Sequence, residues 1–519
     1  MGSGVGVFGR RVIGDSTDNL IAEFMDSLPS FASRSFCVAT LLLVAAIQNA
    51  RSSPVAPSYS YQLIEGSSLV DDCPPCARPT RLEPLRGRFD LRLVAENPLF
   101  ATYEMENIAF TAGGIGRTYK ISGRGTYVVG GEVALRQELF LELRINDGVS
   151  NRLCYLTNDT PIVGRLWPMM QIAMIQTNGT FTQVYRLELN AAPLREIWFS
   201  TASGMTPGIW QPPTNHISGG DVLTSAGRVV KSNRELTQRL GIMPIAPDVG
   251  LDAMDVLSGG EVAFSVKEDV FSETLGPLQH GDLLTSRGRI VQRNQQSTAA
   301  FWQMPPSPDA GLDAVQVMDS GEVYFSIEKE FFSEALGHKI RSGDLLSSRG
   351  VIVKSNEQLV ARFQPADPKR DYGLDAVYVW PSGEVWFSVE TGFQGQHFEP
   401  YGHGDLLSDQ GYVVYRNLEL VGPFQPLEDL ADFGLDSLFI VTDVTLPALP
   451  PRITRWERDQ LTGVAHLKWE GKGRVWQVLR ARSVTDPFEP LSPIFPDLSY
   501  DDTGAATNHS QFFYRLRQW

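Results

Sequence analysis

The most regular pattern along the chain is a strict alternation in which Leu139, Leu141, Leu143 and Ile145 stand between Glu138, Phe140, Glu142 and Arg144. Side chains of a strand point to opposite faces in turn, so this run predicts a strand with one apolar and one largely charged face. Residues 118–121, 125–129 and 182–189 read as further strands separated by glycine-rich turns. Together they predict a β-sandwich or barrel over residues 90–190. Before it, residues 51–89 read as a Pro-rich segment carrying a Cys-x-x-Cys pair.

Beyond residue 190 short apolar runs recur with a period. Gly250-Leu251-Asp252-Ala253 returns as Gly311-Leu312-Asp313-Ala314, Gly373-Leu374-Asp375-Ala376 and Gly434-Leu435-Asp436-Ser437, at spacings of 61, 62 and 61 residues. Gly220-Asp221, Gly281-Asp282, Gly343-Asp344 and Gly404-Asp405 keep the same spacings. A third marker runs Glu196–Ser200, then from Glu261 to Ser265, Glu322 to Ser326 and Glu384 to Ser388. Three markers on one period define four repeats over 191–446.

Within a repeat, 312–318 and 322–327 are β-rich runs joined by the turn composition Asp319-Ser320-Gly321. A long loop, 328–342, leads to strands at 344–347 and 351–354, which turn at Arg349-Gly350. Asn356 then reads as the cap of one or two helical turns. Four short strands per unit predict a propeller blade. The expected fold is all-β: a small, four-bladed propeller-like domain between an N-terminal β-sandwich or barrel and a C-terminal module. Two closures remain open. Residues 435–441 pair beside 197–199 and close a ring, or 185–189 supply the first unit's missing strand and leave an open stack.

After the linker at 447–451, Ala465, Leu467 and Trp469 alternate, 475–479 read as another strand, and the chain ends on Phe512-Phe513-Tyr514-Arg515-Leu516-Arg517. Residues 452–519 resemble the Ig-like or fibronectin-III-like modules that close many exported proteins of environmental bacteria. The hairpins around Gly383-Glu384 resemble those of lyase-type and sugar-lactonase-type propellers, and Asp319-x-Gly321-x-x-Tyr324 resembles part of the sialidase Asp-box. The stretch from Cys73-Pro74-Pro75-Cys76 through the repeats resembles an uncharacterised family of secreted bacterial proteins with GLDA…GEIWFS…GDLLS units. That resemblance implies a bacterial, secreted or cell-surface location and brings no activity with it.

Charge narrows the partners. A net charge of −15 and a pI near 5.0 argue against nucleic acid and against anionic membranes. The apolar run 36–47 is shorter than the ~20 residues a spanning helix needs. With Arg34 before it and Gln48, Asn49 and Ala50 after it, it reads as a signal peptide cleaved after Ala50, leaving no membrane span. Gly4-x-Gly6-x-x-Gly9 and Arg10-Arg11 lie upstream of that signal, without the context a dinucleotide or twin-arginine motif requires.

Cys73, Cys76 and Cys154 are the disulfide candidates. Pro75, Pro79 and Pro84 preclude the helix of a redox-active site, so a structural Cys73–Cys76 bridge or a pairing with Cys154 is expected. Neither a metal site nor a cofactor is indicated.

Residues kept in all four units read first as scaffold. Asp221, Asp282, Asp344 and Asp405 suit turns and caps, with one cation or ligand site per unit as the alternative. Trp198, Ala263, Tyr324 and Trp386 share one position, which reads as packing between sheets. His280 and His403 precede the Gly-Asp marker in two units only. No set of residues predicts catalysis. The most divergent and aromatic loop, 391–403, nominates Phe393, His397, Phe398 and Tyr401 as ligand-binding residues. The expected function is an exported, non-catalytic binding or surface-interaction protein with an extracellular glycan or protein as partner. The alternatives are a polysaccharide-active hydrolase or lyase, or a structural envelope component.

Overall fold

The computed structural model describes residues 57–519, apart from 77, 115, 133–134, 159, 181, 210–215, 246–247, 306–308, 460 and 507–511. The expected signal peptide at 36–47 lies outside the described residues. The first sheet comprises β1 (Ser58–Leu63), β2 (Ser68–Asp72), β3 (Arg81–Glu96), β4 (Phe100–Gly114), β5 (Arg117–Gly130), β6 (Arg136–Asn146), β7 (Asn151–Asn158), β8 (Met170–Gln176) and β9 (Val184–Ala192). Both β1 and β2 run along the same edge of β3 and also pair with β9, so they share one position. On its other edge β3 pairs with β4, and the antiparallel sheet closes on itself.

The alternation of β6 explains the barrel. Leu139, Leu141, Leu143 and Ile145 are buried inside, with Tyr61, Phe89, Phe110 and Tyr119, while Glu138 and Arg144 face outward. Charged residues outside and leucine inside is the reverse of a lipid-facing barrel. No helix among the described residues is long and apolar enough to cross a membrane. The barrel begins at Ser58, not at residue 90, so 58–89 belong to it. Their alternation is carried by Ser, Tyr and Gln over short, interrupted runs, a weaker signal than Leu against Glu. Cys73 and Cys76 form a disulfide just after β2. Cys154 is a free thiol inside the barrel, and burial pushes its pKa up to about 11.

Four four-stranded sheets follow. One contains Met254–Leu257, Glu261–Phe264, Leu283–Thr285 and Ile290–Gln292; the next Val315–Val317, Val323–Phe325, Leu345–Ser347 and Val351–Lys354. A further sheet contains Ala376–Val379, Val385–Ser388, Leu406–Ser408 and Tyr412–Tyr415. The remaining one joins Glu196–Ser200, Val222–Thr224 and Arg228–Lys231 to Ser437–Val441 from the far end of the array. There Ile197 stands opposite Ile440 and Phe199 opposite Leu438. Residues 185–189 belong to β9, so they do not supply the strand of the open-stack alternative. The strands Met254–Leu257, Val315–Val317, Ala376–Val379 and Ser437–Val441 touch one another in cyclic order.

Two details differ from the sequence reading. The loop 328–342 holds a hairpin, Phe331–Ser333 with His338–Ile340, which pairs with Gln303–Met304. Strands this short show no readable period. The helix Asn356–Val360 is capped by Ser355, in a reciprocal box with Gln358, and Asn356 is its first residue.

The C-terminal residues form two three-stranded sheets. Arg452–Arg458, Ala465–Glu470 and Ser499–Asp502 make one; Glu489–Pro490, Trp476–Ala481 and Phe513–Gln518 make the other. They close over Leu467, Trp469, Trp476 and Val478. This module packs on the array at Gly260, whose positive φ of 77° favours glycine and where a Cβ would overlap the Pro496 carbonyl and the Trp476 ring. Arg474 reaches further in. Its guanidinium lies 3.1 Å from both oxygens of buried Asp255 and donates to the Val317 carbonyl at 2.8 Å.

Candidate functional site

Of the residues shared by all units, some are engaged by the backbone and others are not. Asp221, Asp282, Asp344 and Asp405 each accept the amide of the residue three before them, Ser218, Gln279, Arg341 and Gly402. Each also accepts from the first residue of its unit's short helix, Asn233, Asn294, Asn356 or Asn417. Those carboxylates bind backbone. At the shared aromatic position Trp198, Ala263 and Trp386 are fully buried and Tyr324 is partly so. The serines closing the third marker stitch neighbouring units: Ser265, Ser326 and Ser388 donate to the carbonyls of Leu312, Leu374 and Leu435.

The Gly-Leu-Asp carboxylates are left over. Asp252, Asp313, Asp375 and Asp436 stand one or two residues before the four cyclically packed strands, and the cycle brings them together at one end of the array. Around them stands the residue two beyond each marker serine: Ala202, Lys267, Glu328 and Glu390. Lys267 pairs with Asp436 and lies 3.7 Å from Asp252. Burial pushes Asp252 up to about 7; Lys267 opposes the rise, and Asp436 and Glu328 add to it. Burial, then Asp252, Asp375, Glu328 and Glu390, holds Asp313 well above the carboxylate range. Asp375 is likewise raised, by burial and then by Asp436 and Asp252.

Oxygens of Asp252, Asp313 and Glu328 all lie within 4.8 Å of one another. A second group, Asp269, His280 and Asp309, flanks it. His280 Nδ1 is 2.7 Å from Asp269, and Nε2 is 3.0 Å from Lys329 Nζ. Burial lowers the imidazole pKa, but Asp269, Asp309 and Glu328 outweigh it, and the pKa is raised. Asp309 is already engaged with the Gly281 and Gly311 amides.

A different surface forms where the barrel meets the fourth unit. A cleft of about 660 Å³ is lined there by Arg165, Arg362 and Arg416, by Glu65, Glu384 and Glu399, and by Tyr401 and Tyr412. The Arg165 guanidinium lies 3.4 Å over the Tyr412 ring, and its Nη1 has no hydrogen-bond partner. Burial lowers its pKa. Glu384 is held by Trp386 Nε1 at 2.9 Å, Ser408 Oγ at 2.7 Å and the Tyr412 hydroxyl. The arrangement presents fixed donors, acceptors and an aromatic edge to a polar molecule.

The structure separates the four nominated loop residues. Phe393 is 7% exposed and packs on Phe363, Tyr372 and Tyr401, so its ring belongs to the core of the fourth unit. Tyr401 is buried in the same cluster and reaches the cleft wall, its hydroxyl donating to Glu399 at 3.1 Å. Phe398 is 83% exposed at a φ of 64° and does not line the cleft. The His397 side chain lies outside the described residues. Sequence reasoning missed Arg165, which sits in irregular chain before β8 and carries no motif. It also passed over the Gly-Leu-Asp carboxylates, although the switch from Lys267 to Glu328 and Glu390 was visible in the aligned repeats.

No family model matches the chain, and no curated protein matches it. Among solved structures it is similar to the extracellular domain of a hybrid two component system from B. thetaiotaomicron, at 10% identity and a TM-score of 0.20, over 83% of this chain and 81% of that one. It is similar also to PorZ, a surface component of the type-IX secretion system of Porphyromonas gingivalis, at 10% identity and a TM-score of 0.18, over 83% and 72% of the two chains. At these TM-scores neither likeness carries a conclusion about what this chain does.

Proposed function

We propose that this chain is an exported, non-catalytic binding protein in which four repeats form a closed four-bladed propeller, and that the cleft beside the fourth unit takes a polar ligand of the glycan class. The carrying observation is Arg165: a half-buried guanidinium, stacked on Tyr412, with one nitrogen left without a partner in a cleft wide enough for a small saccharide. An uncompensated buried donor is costly in the free protein and is satisfied by an incoming oxygen. Tyrosine edges and charged hydrogen-bonding groups suit hydroxyl-rich ligands, which present apolar faces between polar rims.

A glycan array probed with the secreted chain, followed by titration of each hit, tests this reading. Binding that falls at least tenfold in both Arg165→Ala and Arg362→Ala, with the ligand recovered intact, is the expected result. Release of a shortened product would move the chain to the hydrolase or lyase class. Absence of any glycan binding would leave the structural envelope role ahead.

A further inference from the structure

The carboxylates where the four units converge are unevenly compensated. Lys267 sits against Asp436 and Asp252, on one side of the group. At the equivalent position the third and fourth units carry Glu328 and Glu390, so Asp313 and Asp375 face further acids where an ammonium would otherwise stand. Asp313 is 6% exposed and, among the described residues, makes no hydrogen bond or ion pair. A buried carboxylate of this kind is normally paired, bonded by donors or metal-bound. Its oxygens point into the same small volume as those of Asp252 and Glu328, within 4.8 Å of both. Two oxygens on opposite sides of one calcium ion, each at 2.3–2.6 Å, are about that far apart.

We propose that Asp252, Asp313 and Glu328 bind one divalent cation of the calcium type, which offsets the charge of Asp313 and Glu328 as Lys267 offsets that of Asp436, with Asp252 between the two. The donors are all carboxylate oxygens, which suit a hard cation, and no thiolate belongs to the set; the neighbouring imidazole of His280 holds Asp269 with Nδ1 and has Lys329 at 3.0 Å and Glu328 at 3.6 Å from Nε2. The ion ties the second unit, which supplies Asp252, to the third, which supplies Asp313 and Glu328. Binding therefore stabilises the folded chain by mass action, because the three ligands converge only in it.

The test is calorimetric titration of the full chain, stripped with EDTA, with calcium chloride, together with thermal melts in EDTA and in excess calcium. One ion bound per chain and a melting temperature several degrees higher in calcium are expected. Asp313→Asn should weaken binding at least tenfold while still folding, since it removes charge from a crowded acidic site. Glu328→Lys, which copies the second unit's lysine, should melt in EDTA at or above the wild-type temperature and show no rise with calcium. Identical wild-type melts in EDTA and calcium, with no saturable heat, would overturn the proposal. So would wild-type affinity in both variants, which would place the ion elsewhere.

Discussion

At the scale of single residues, the repeated asparagines show how the sequence distributes its hydrogen bonds. Asn294 accepts the Ala310 amide at 2.9 Å and donates to the Gly311 carbonyl at 2.9 Å, both buried. Its counterpart Asn356 accepts the Tyr372 amide at a longer 3.4 Å, and its Nδ2 has no partner. Stranding a buried backbone group costs on the order of 1–3 kcal/mol. Asn294→Ala should therefore destabilise by about 3 kcal/mol, and Asn356→Ala by about half as much. Urea midpoints of the two variants read the difference directly. Equal losses would mean that the third unit relaxes to satisfy its own amide. These asparagines were legible only as a helix start, because their long reach to the Gly-Leu-Asp backbone is a three-dimensional fact.

At the scale of elements, the seam between Glu196–Ser200 and Ser437–Val441 decides how the array ends. Ser200 and Ser437 lie side by side, their hydroxyl oxygens 2.7 Å apart. Cysteines at both positions should oxidise spontaneously and cross-link residues separated by 237 positions. The chain-entropy model gives a loop of that size roughly 5 kcal/mol, an upper value that native strain reduces. The expected result is a melting temperature that drops on adding reductant, with a faster-migrating oxidised band on non-reducing gels. Failure to cross-link would argue that the seam opens. The four units were legible because a period is a one-dimensional property and three markers shared it. The seam was not, since apolar strands at 185–189 and 435–441 competed for the same partner and only the closure of β9 into the barrel removed one of them. The Gly-Leu-Asp acids were legible as letters but not as a cluster, for a run such as 312–318 read alone does not show which acids of other units its Asp313 will face.

At the scale of the whole molecule, the C-terminal module is fastened through Arg474, which enters the array from the end opposite the Gly-Leu-Asp carboxylates. Asp255 is 3% exposed, and burial raises its pKa against the opposing pull of Arg474. Removing one partner of a buried ion pair strands the other, at a cost of about 3–5 kcal/mol. Arg474→Ala should lower stability by that amount, and Arg474→Met combined with Asp255→Asn should recover much of it. A double-mutant cycle by guanidinium denaturation checks both. Additive losses would show that the module and the array are not coupled through this pair. The cleft at Arg165 belongs to this scale as well, which is why no local pattern announced it: its walls come from the barrel and from the third and fourth units, far apart in the chain.

The seam also bears on how such an array changes over generations. Its two strands come from the ends of the repeat region, so duplication or loss of one internal unit leaves Ile197 opposite Ile440 and alters only the circumference. Copy number is then free to drift by unequal recombination without a new closing pair having to arise. The counterweight is electrostatic. Every added unit brings one more Gly-Leu-Asp carboxylate to the same crowded end, where Lys267 already serves both Asp252 and Asp436, so each addition raises the repulsion there.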